Sequence, residues 1–348
     1  MRCAHKTLIT KAAIPAWSRW SAPSRSHNIG ENRVQDITAL EKLRIGTRGS
    51  PLALAQAHEV KARLLAAHPQ WQDDVIEICV ISTKGDEILD RPLVEIGGKG
   101  LFTEEIEAQL LDGRIDIAVH SLKDMPAALP EGLYLSCFLP REDVRDVLIS
   151  DKAQRIEDLP QGAVLGTASL RRGAQALILR PDLKIVNIRG NVGTRMRKMR
   201  EGDVDATLLA LAGLKRLGHD EWINNAIALD VMLPAPSQGA ISIESRRGDA
   251  RMDAALAPLN HAETATTVQV ERAFLASLGG SCRTPIAGLA TLHNDSVTFE
   301  GRLFSTDGKL CYTSSFTVPV GQAAEMAKAE GERLKAEAGP DFFSLLGD

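Results

Sequence analysis

The chain has 348 residues, too many for one ordinary hydrophobic core, so two or three domains are expected. Apolar residues make up 44% and charged residues 25%, ordinary values for a globular protein, and the net charge of −4 excludes a general binder of nucleic acid or anionic membrane. No apolar run is long enough to span a bilayer, because charges interrupt every one.

Residues 1–42 differ in composition from the rest. No Asp or Glu precedes Glu31, whereas Arg2, Lys6, Lys11, Arg19 and Arg25 are basic and serines lie among them. That pattern fits an organellar transit peptide, and equally a disordered leader or a start codon placed upstream of the true one. The cytoplasm is the expected compartment, with organellar import through this leader as the alternative.

The first regular element runs from Leu43 to Thr47 as a strand. Ser50 then offers an N-cap and Pro51 a first helical residue, and Ala53, Ala57, Val60, Leu64 and Ala67 line one helical face. Val75 to Ser82 reads as a buried strand. Gly97-Gly98-Lys99-Gly100 is a loop that opens a helix with Phe102, Ile106 and Leu110 on one side, stopped by Gly113. Ile115 to His120 is again a strand, and the alternation argues for a parallel sheet covered on both faces.

The pattern restarts near Pro140-Arg141-Glu142-Asp143. Strands at 163–166, 184–188 and 206–210 alternate with helices at 169–179 and 194–200, and Pro234-Ala235-Pro236-Ser237-Gln238-Gly239 punctuates the chain. A helix over 264–278 precedes strands at 286–292, 297–303 and 310–318, with turns at Asn294-Asp295 and Asp307-Gly308, and a last helix covers about 322–338. The expected fold class is α/β: two α/β domains and a smaller α+β domain at the C-terminal end.

Five cysteines, Cys3, Cys79, Cys137, Cys282 and Cys311, are odd in number and widely spaced. None forms a C-x-x-C pair, so neither a disulfide framework nor a metal site is implied. Cys79 reads as a small buried strand residue.

Three segments carry chemistry. Between Arg171 and Arg200 lie Arg171, Arg172, Arg180, Lys184, Arg189, Arg195, Arg197, Lys198 and Arg200 against a single acid, Asp182. Arg171, Arg172, Arg189 and Arg195 stand at strand-to-helix junctions, where unpaired N–H groups and bidentate guanidinium donors favour carboxylates or phosphates. Arg197, Lys198 and Arg200 read as a solvated helix face. No aromatic residue interleaves these cations, so a nucleic-acid platform is discounted.

The second segment is His120-Ser121-Leu122-Lys123-Asp124-Met125-Pro126, where a buried strand runs into a tight polar cluster. Asp124 can hold a proton or stabilise a cation, or simply cap a turn, and Lys123 can keep it ionised or bind substrate. His120 at a strand end reads as structural, with no metal partners. The third segment, Gly279-Gly280-Ser281-Cys282-Arg283, places a thiol in a glycine-rich loop beside a cation. Local physics leaves it open as a nucleophile, a redox sensor or an inert thiol.

Together and in order, these strings resemble the porphobilinogen deaminase (hydroxymethylbilane synthase) family over residues 43–340. The matching pieces include Thr47-Arg48-Gly49-Ser50-Pro51-Leu52-Ala53-Leu54, Gly97-Gly98-Lys99-Gly100-Leu101-Phe102 and 120–126. They continue with Gly166-Thr167-Ala168-Ser169-Leu170-Arg171-Arg172, Arg189-Gly190-Asn191-Val192-Gly193-Thr194-Arg195 and Gly280-Ser281-Cys282. The resemblance implies two α/β domains like periplasmic binding proteins and a small third domain. Their expected limits are 43–140 with about 239–258, then 141–238, then 259–348.

It also implies a transferase of tetrapyrrole (haem and chlorophyll) biosynthesis, a monomer that needs no metal. Such an enzyme condenses four porphobilinogen molecules onto a dipyrromethane cofactor, releases ammonia and yields hydroxymethylbilane. By the same resemblance Cys282 carries the cofactor through a thioether, and Asp124 is the catalytic carboxylate. Lys99, Lys123, Asp124, Ser169, Arg171 and Arg172 bind cofactor, and Arg48, Ser50, Arg189 and Arg195 bind substrate carboxylates. Where many members carry a lysine four residues before Lys99, this chain has Glu95.

Overall fold

The computed structural model describes residues 42–87, 102–280 and 284–344. The expectations placed on the leader, Glu95, Lys99 and Cys282 therefore lie outside the described residues.

Three sheets organise the described chain. The first has strand order β2-β1-β3-β9-β4, with β1 at Leu43–Arg48, β2 at Ile76–Ile81, β3 at Ile117–Ser121, β4 at Leu133–Phe138 and β9 at Ile241–Arg246. Ser50 caps the helix Pro51–Ala67 by accepting a hydrogen bond from the Ala53 amide, and such a cap is worth about 1 kcal/mol. Ala57, Val60 and Leu64 from that helix are fully buried against Leu43 and Ile45. Each large apolar side chain so covered contributes roughly 1.5–3 kcal/mol.

The sheet is not purely parallel. β1 runs parallel to β2 and β3, but β9 is antiparallel to both β3 and β4. β9 reaches the sheet from a long connection rather than a local β-α-β crossover, so no helix sets its direction. β2 is an edge strand, which leaves Val80 59% exposed and Cys79 only partly buried. The expectation of a fully buried strand there is corrected: the continuous apolar run does not reveal that one flank is open.

The second sheet has order β5-β8-β6-β7, with β5 at Asp146–Ile149, β6 at Val164–Gly166, β7 at Lys184–Val186 and β8 at Ala206–Ala210. β6 pairs parallel with β7 and β8, and β5 pairs antiparallel with β8. The helices Leu170–Leu179 and Val192–Arg200 begin where β6 and β7 lead out of the sheet. The third sheet is an antiparallel meander of β10 (Ile286–His293), β11 (Ser296–Phe304) and β12 (Cys311–Pro319). It packs Val297, Phe299 and Leu303 against the helices Ala262–Ser277 and Val320–Ser344, the latter broken at Gly339 before Pro340.

Two chain segments pass each other between the first and second sheets. Gly239 has φ 89°, and a side chain there would put Cβ 2.4 Å from the Glu142 carbonyl oxygen, so the crossing needs glycine. Glu142 donates its amide to the Gly239 carbonyl at 3.2 Å. Fully buried Glu271, on the helix Ala262–Ser277, accepts both terminal nitrogens of Arg141 at 2.7 and 2.9 Å and the amide of Ala290. That carboxylate fixes the helix leading toward residue 282 to the crossing.

Candidate functional site

β3 ends at Ser121 and passes into a single 3₁₀ turn, Leu122–Asp124. Leu122 is buried and Asp124 is exposed, so the turn is anchored by its apolar residue and presents its carboxylate. Arg48, Ser50, Gln56, Phe102, His120 and Asp124 line one small cavity of about 60 Å³. The Arg48 guanidinium lies over the Phe102 ring, 4.2 Å from its centroid, which fixes the cation at the cavity wall.

Lys123 points the other way, toward the crossing. Its Nζ donates to Gln238 Oε1 at 3.2 Å, and Gln238 Nε2 donates in turn to Asp146 Oδ1 at 2.9 Å and the Val144 carbonyl at 2.7 Å. Asp146, at the start of β5, is fully buried between two arginines: Arg171 Nη1 and Arg172 Nη2 each stand 2.7 Å from its oxygens. Burial would raise that carboxyl, but Arg171 and Arg172 outweigh it and hold it far below the usual carboxylate range. Arg171 also donates to the Leu233 carbonyl and Arg172 to the Leu208 carbonyl. One chain of polar contacts thus joins the Leu122–Asp124 turn of the first sheet to the arginine pair of the second.

The arginine pair begins the helix Leu170–Leu179, whose N-cap is Ser169. Thr167 Oγ1 holds the Ser169 amide at 3.1 Å, which sets the turn. Arg195, in the helix Val192–Arg200, donates through Nε to the Gly190 carbonyl at 2.9 Å. Burial, then repulsion from Arg172, pushes its guanidinium down to about 10, while the Asp124 carboxylate pulls the other way and Arg189 adds to the repulsion. Burial and Arg172 likewise push Lys123 down to about 8, against Asp124 and Asp146. Arg172, Arg195, Lys123 and Asp124 therefore share one electrostatic field although they come from different sheets.

That field is short of negative charge. Arg171 Nε is buried without a hydrogen-bond partner, and Lys123 and Arg195 are depressed first by burial and then by the neighbouring cation Arg172. Bound carboxylates would relieve all three. Among the described residues, no cluster of His, Cys, Asp and Glu could hold a metal ion, and no helix is long and apolar enough to cross a membrane.

Residues 43–254 match a family model described as porphobilinogen deaminase, dipyromethane cofactor binding domain, and residues 265–336 match that of the porphobilinogen deaminase C-terminal domain. The chain belongs to the porphobilinogen deaminase family. A porphobilinogen deaminase described as chloroplastic, from Oryza sativa subsp. japonica, is 55% identical over 308 residues, covering 87% of this chain and 86% of its own.

Among solved structures, the BvgS VFT2 domain of Bordetella pertussis is 16% identical, with a TM-score of 0.40 over 66% of this chain and 91% of that one. An ABC transporter periplasmic substrate-binding protein from Coxiella burnetii is also 16% identical, with a TM-score of 0.40 over 64% and 94%.

As a porphobilinogen deaminase, the chain is a transferase of tetrapyrrole synthesis with a dipyrromethane cofactor. Reading the sequence alone missed two residues that the site uses, Asp146 and Gln238. Gln238 sits in the Pro234–Gly239 punctuation, and Asp146 lies beside Arg145 with no spacing signal. Arg197 of the basic stretch forms an exposed i,i+4 pair with Glu201, and Arg180 pairs with Asp182, so those two serve the surface and the loop.

Proposed function

We propose that this chain condenses porphobilinogen in the cleft between the first two sheets, with Asp124 as the catalytic carboxylate and Cys282 as the covalent tether of the dipyrromethane. The observation that carries this reading is the cation-rich field around a single exposed aspartate at the end of β3. Each pyrrole ring of the substrate and product brings an acetate and a propionate, so the cleft must hold many carboxylates at once. Ser169 at its helix start, with Lys123, Arg171 and Arg172, fits the cofactor carboxylates, as does Lys99. Arg48, Ser50, Arg189 and Arg195 fit those of the incoming unit.

When bound, the dipyrromethane supplies the free pyrrole α-carbon that accepts each unit. Asp124 accepts a hydrogen bond from the substrate's pyrrole N–H. As the aminomethyl C–N bond breaks and ammonia leaves with the electron pair, the ring becomes a cationic azafulvene, and the carboxylate stabilises that charge in place. Lys123 and Arg195 anchor side chains on the same ring system and exclude water from the cation. The arginine pair is pre-set by Asp146, so little reorganisation is needed when carboxylates arrive.

We further propose that the chain acts as a monomer and that the acid-poor leader directs organellar import. The leader's basic composition and the chloroplastic relative support the organelle over the cytoplasm. Intact-mass measurement tests the proposal. Protein purified from its source should carry a two-pyrrole adduct and lack the leader, and Cys282→Ser should lose the adduct. A bare polypeptide mass in the unsubstituted protein would overturn the tether.

A further inference from the structure

Behind the cavity lies a buried group that the reading above does not use. His120 on β3 meets Glu244 on β9, with Nε2 3.1 Å from Oε2, and their side chains are 5% and 0% exposed. Glu107, on the helix Glu104–Leu111, is equally buried and close enough to feel both charges. One oxygen of each carboxylate, Glu107 Oε1 and Glu244 Oε1, has no hydrogen-bond partner. A buried carboxylate oxygen left unsatisfied is costly unless a proton or ligand visits it. Of the three residues, His120 lines the cavity that also holds Asp124.

The condensation needs such a place. C–N cleavage sends an electron pair out on ammonia, and the new C–C bond forms from the π electrons of the accepting pyrrole. That ring regains aromaticity only when its α-carbon gives up a proton. Asp124 is committed to the cationic ring at that moment and cannot take it without losing the charge it supplies.

We propose that Glu107, His120 and Glu244 form one proton-holding unit that accepts the α-carbon proton through His120 and passes it to the departing ammonia, which leaves as ammonium. The balance closes within the established reaction: the C–H pair returns to the ring, the proton crosses the unit, and no oxidant or other co-reactant is required.

The surroundings suit a unit that carries a proton rather than a fixed charge. Burial raises the Glu107 carboxyl, the nearby charges of Glu244 and Glu104 add to the rise, and a hydrogen bond with Thr103 and the His120 ring oppose it. Arg272, from the helix Ala262–Ser277, faces Glu244 and donates to the Pro126 and Ala127 carbonyls just beyond the catalytic turn. Arg272 thus lies within reach of the charge of Glu244, while His120 shares the lining of one cavity with Asp124.

The inference rests on porphobilinogen condensation, and its test separates the two. Porphobilinogen deuterated at its free α-carbon is turned over by the wild-type holoenzyme and by Glu107→Gln and His120→Asn. Glu107→Gln keeps the shape and removes the ionisable carboxyl that would hold the proton. Each variant should lose about a hundredfold or more in kcat, in line with loss of general acid–base assistance, and should acquire a primary deuterium isotope effect. A slow variant without an isotope effect would mean a structural role only and would overturn the proposal, as would a variant with unchanged kcat.

Should a variant fail to fold, the wild type decides the matter. Its isotope effect should grow as pH falls and Glu107, whose carboxyl is raised by burial, takes up a proton, and an effect that is flat with pH would overturn the proposal. Failure of the functional reading would look different, because the wild type would then consume no porphobilinogen at all.

Discussion

Replacing Asp146 by alanine tests the link between the first and second sheets most sharply. The substitution leaves Arg171 and Arg172, each 5% exposed, side by side without a counter-charge, and removes one acceptor of Gln238. Breaking a buried ion pair by removing one partner costs about 3–5 kcal/mol, chiefly because the remaining charge is stranded. At about 2–4 °C per kcal/mol, the melting temperature should fall by roughly 6–20 °C, toward the lower end for so long a chain.

Thermal unfolding followed by circular dichroism measures this, with Asp146→Asn as the companion that keeps the shape. The Asp146 carboxyl is depressed in the folded state, so its contribution is complete above the ordinary aspartate value of 3.8 and is lost only as pH falls through the lower folded value. The gap between wild type and Asp146→Asn should therefore stay constant from neutral pH down to 3.8 and narrow below it. A fall of less than about 3 °C for the alanine variant would refute the reasoning, since it would place the net worth of the pair near 1 kcal/mol or less.

Other expectations are smaller in scope. Asp124→Ala should fold normally yet lose about 10²–10⁴-fold in turnover; near-normal porphobilinogen consumption would sink the catalytic assignment. Lys123 loses its charge as pH rises through about 8, so kcat/KM should decline on that alkaline side, and Lys123→Arg should move the decline upward. An unmoved alkaline limb would show that another group governs it. Gly239→Ala, at φ 89° and against the Glu142 carbonyl, should cost about 1–3 kcal/mol in a denaturation experiment while leaving the isolated first-sheet contacts in place.

Local pattern carried a good part of the architecture. Periodicity located β1, β3, β6, β8 and the final meander within a residue or two, because each alternates with turn residues that stop it. The Ser50-Pro51 start of the first helix was legible for the same reason. β4, β5 and β9 were not recognised. Leu133–Phe138 and Ile241–Arg246 mix small and polar residues, Asp146–Ile149 is only four residues long, and their strand character depends on neighbours supplied from elsewhere.

By itself, the sequence determined the chemistry available: a run of arginines with one acid among them, an aspartate at a strand end, a thiol in a glycine loop. What the tertiary structure decided is which of these meet. Lys123 and Gln238 are 115 residues apart and His120 and Glu244 are 124 apart, separations across which no local period carries information. Only the antiparallel insertion of β9 brings Glu244 beside Ala118 and Ser242 beside His120, and with them a buried acid behind the cavity that Asp124 lines. Likewise, only the crossing at Gly239 carries Gln238 between Lys123 and Asp146. The identity of each charged group was written locally, and its partner was fixed by which backbones the core forces together.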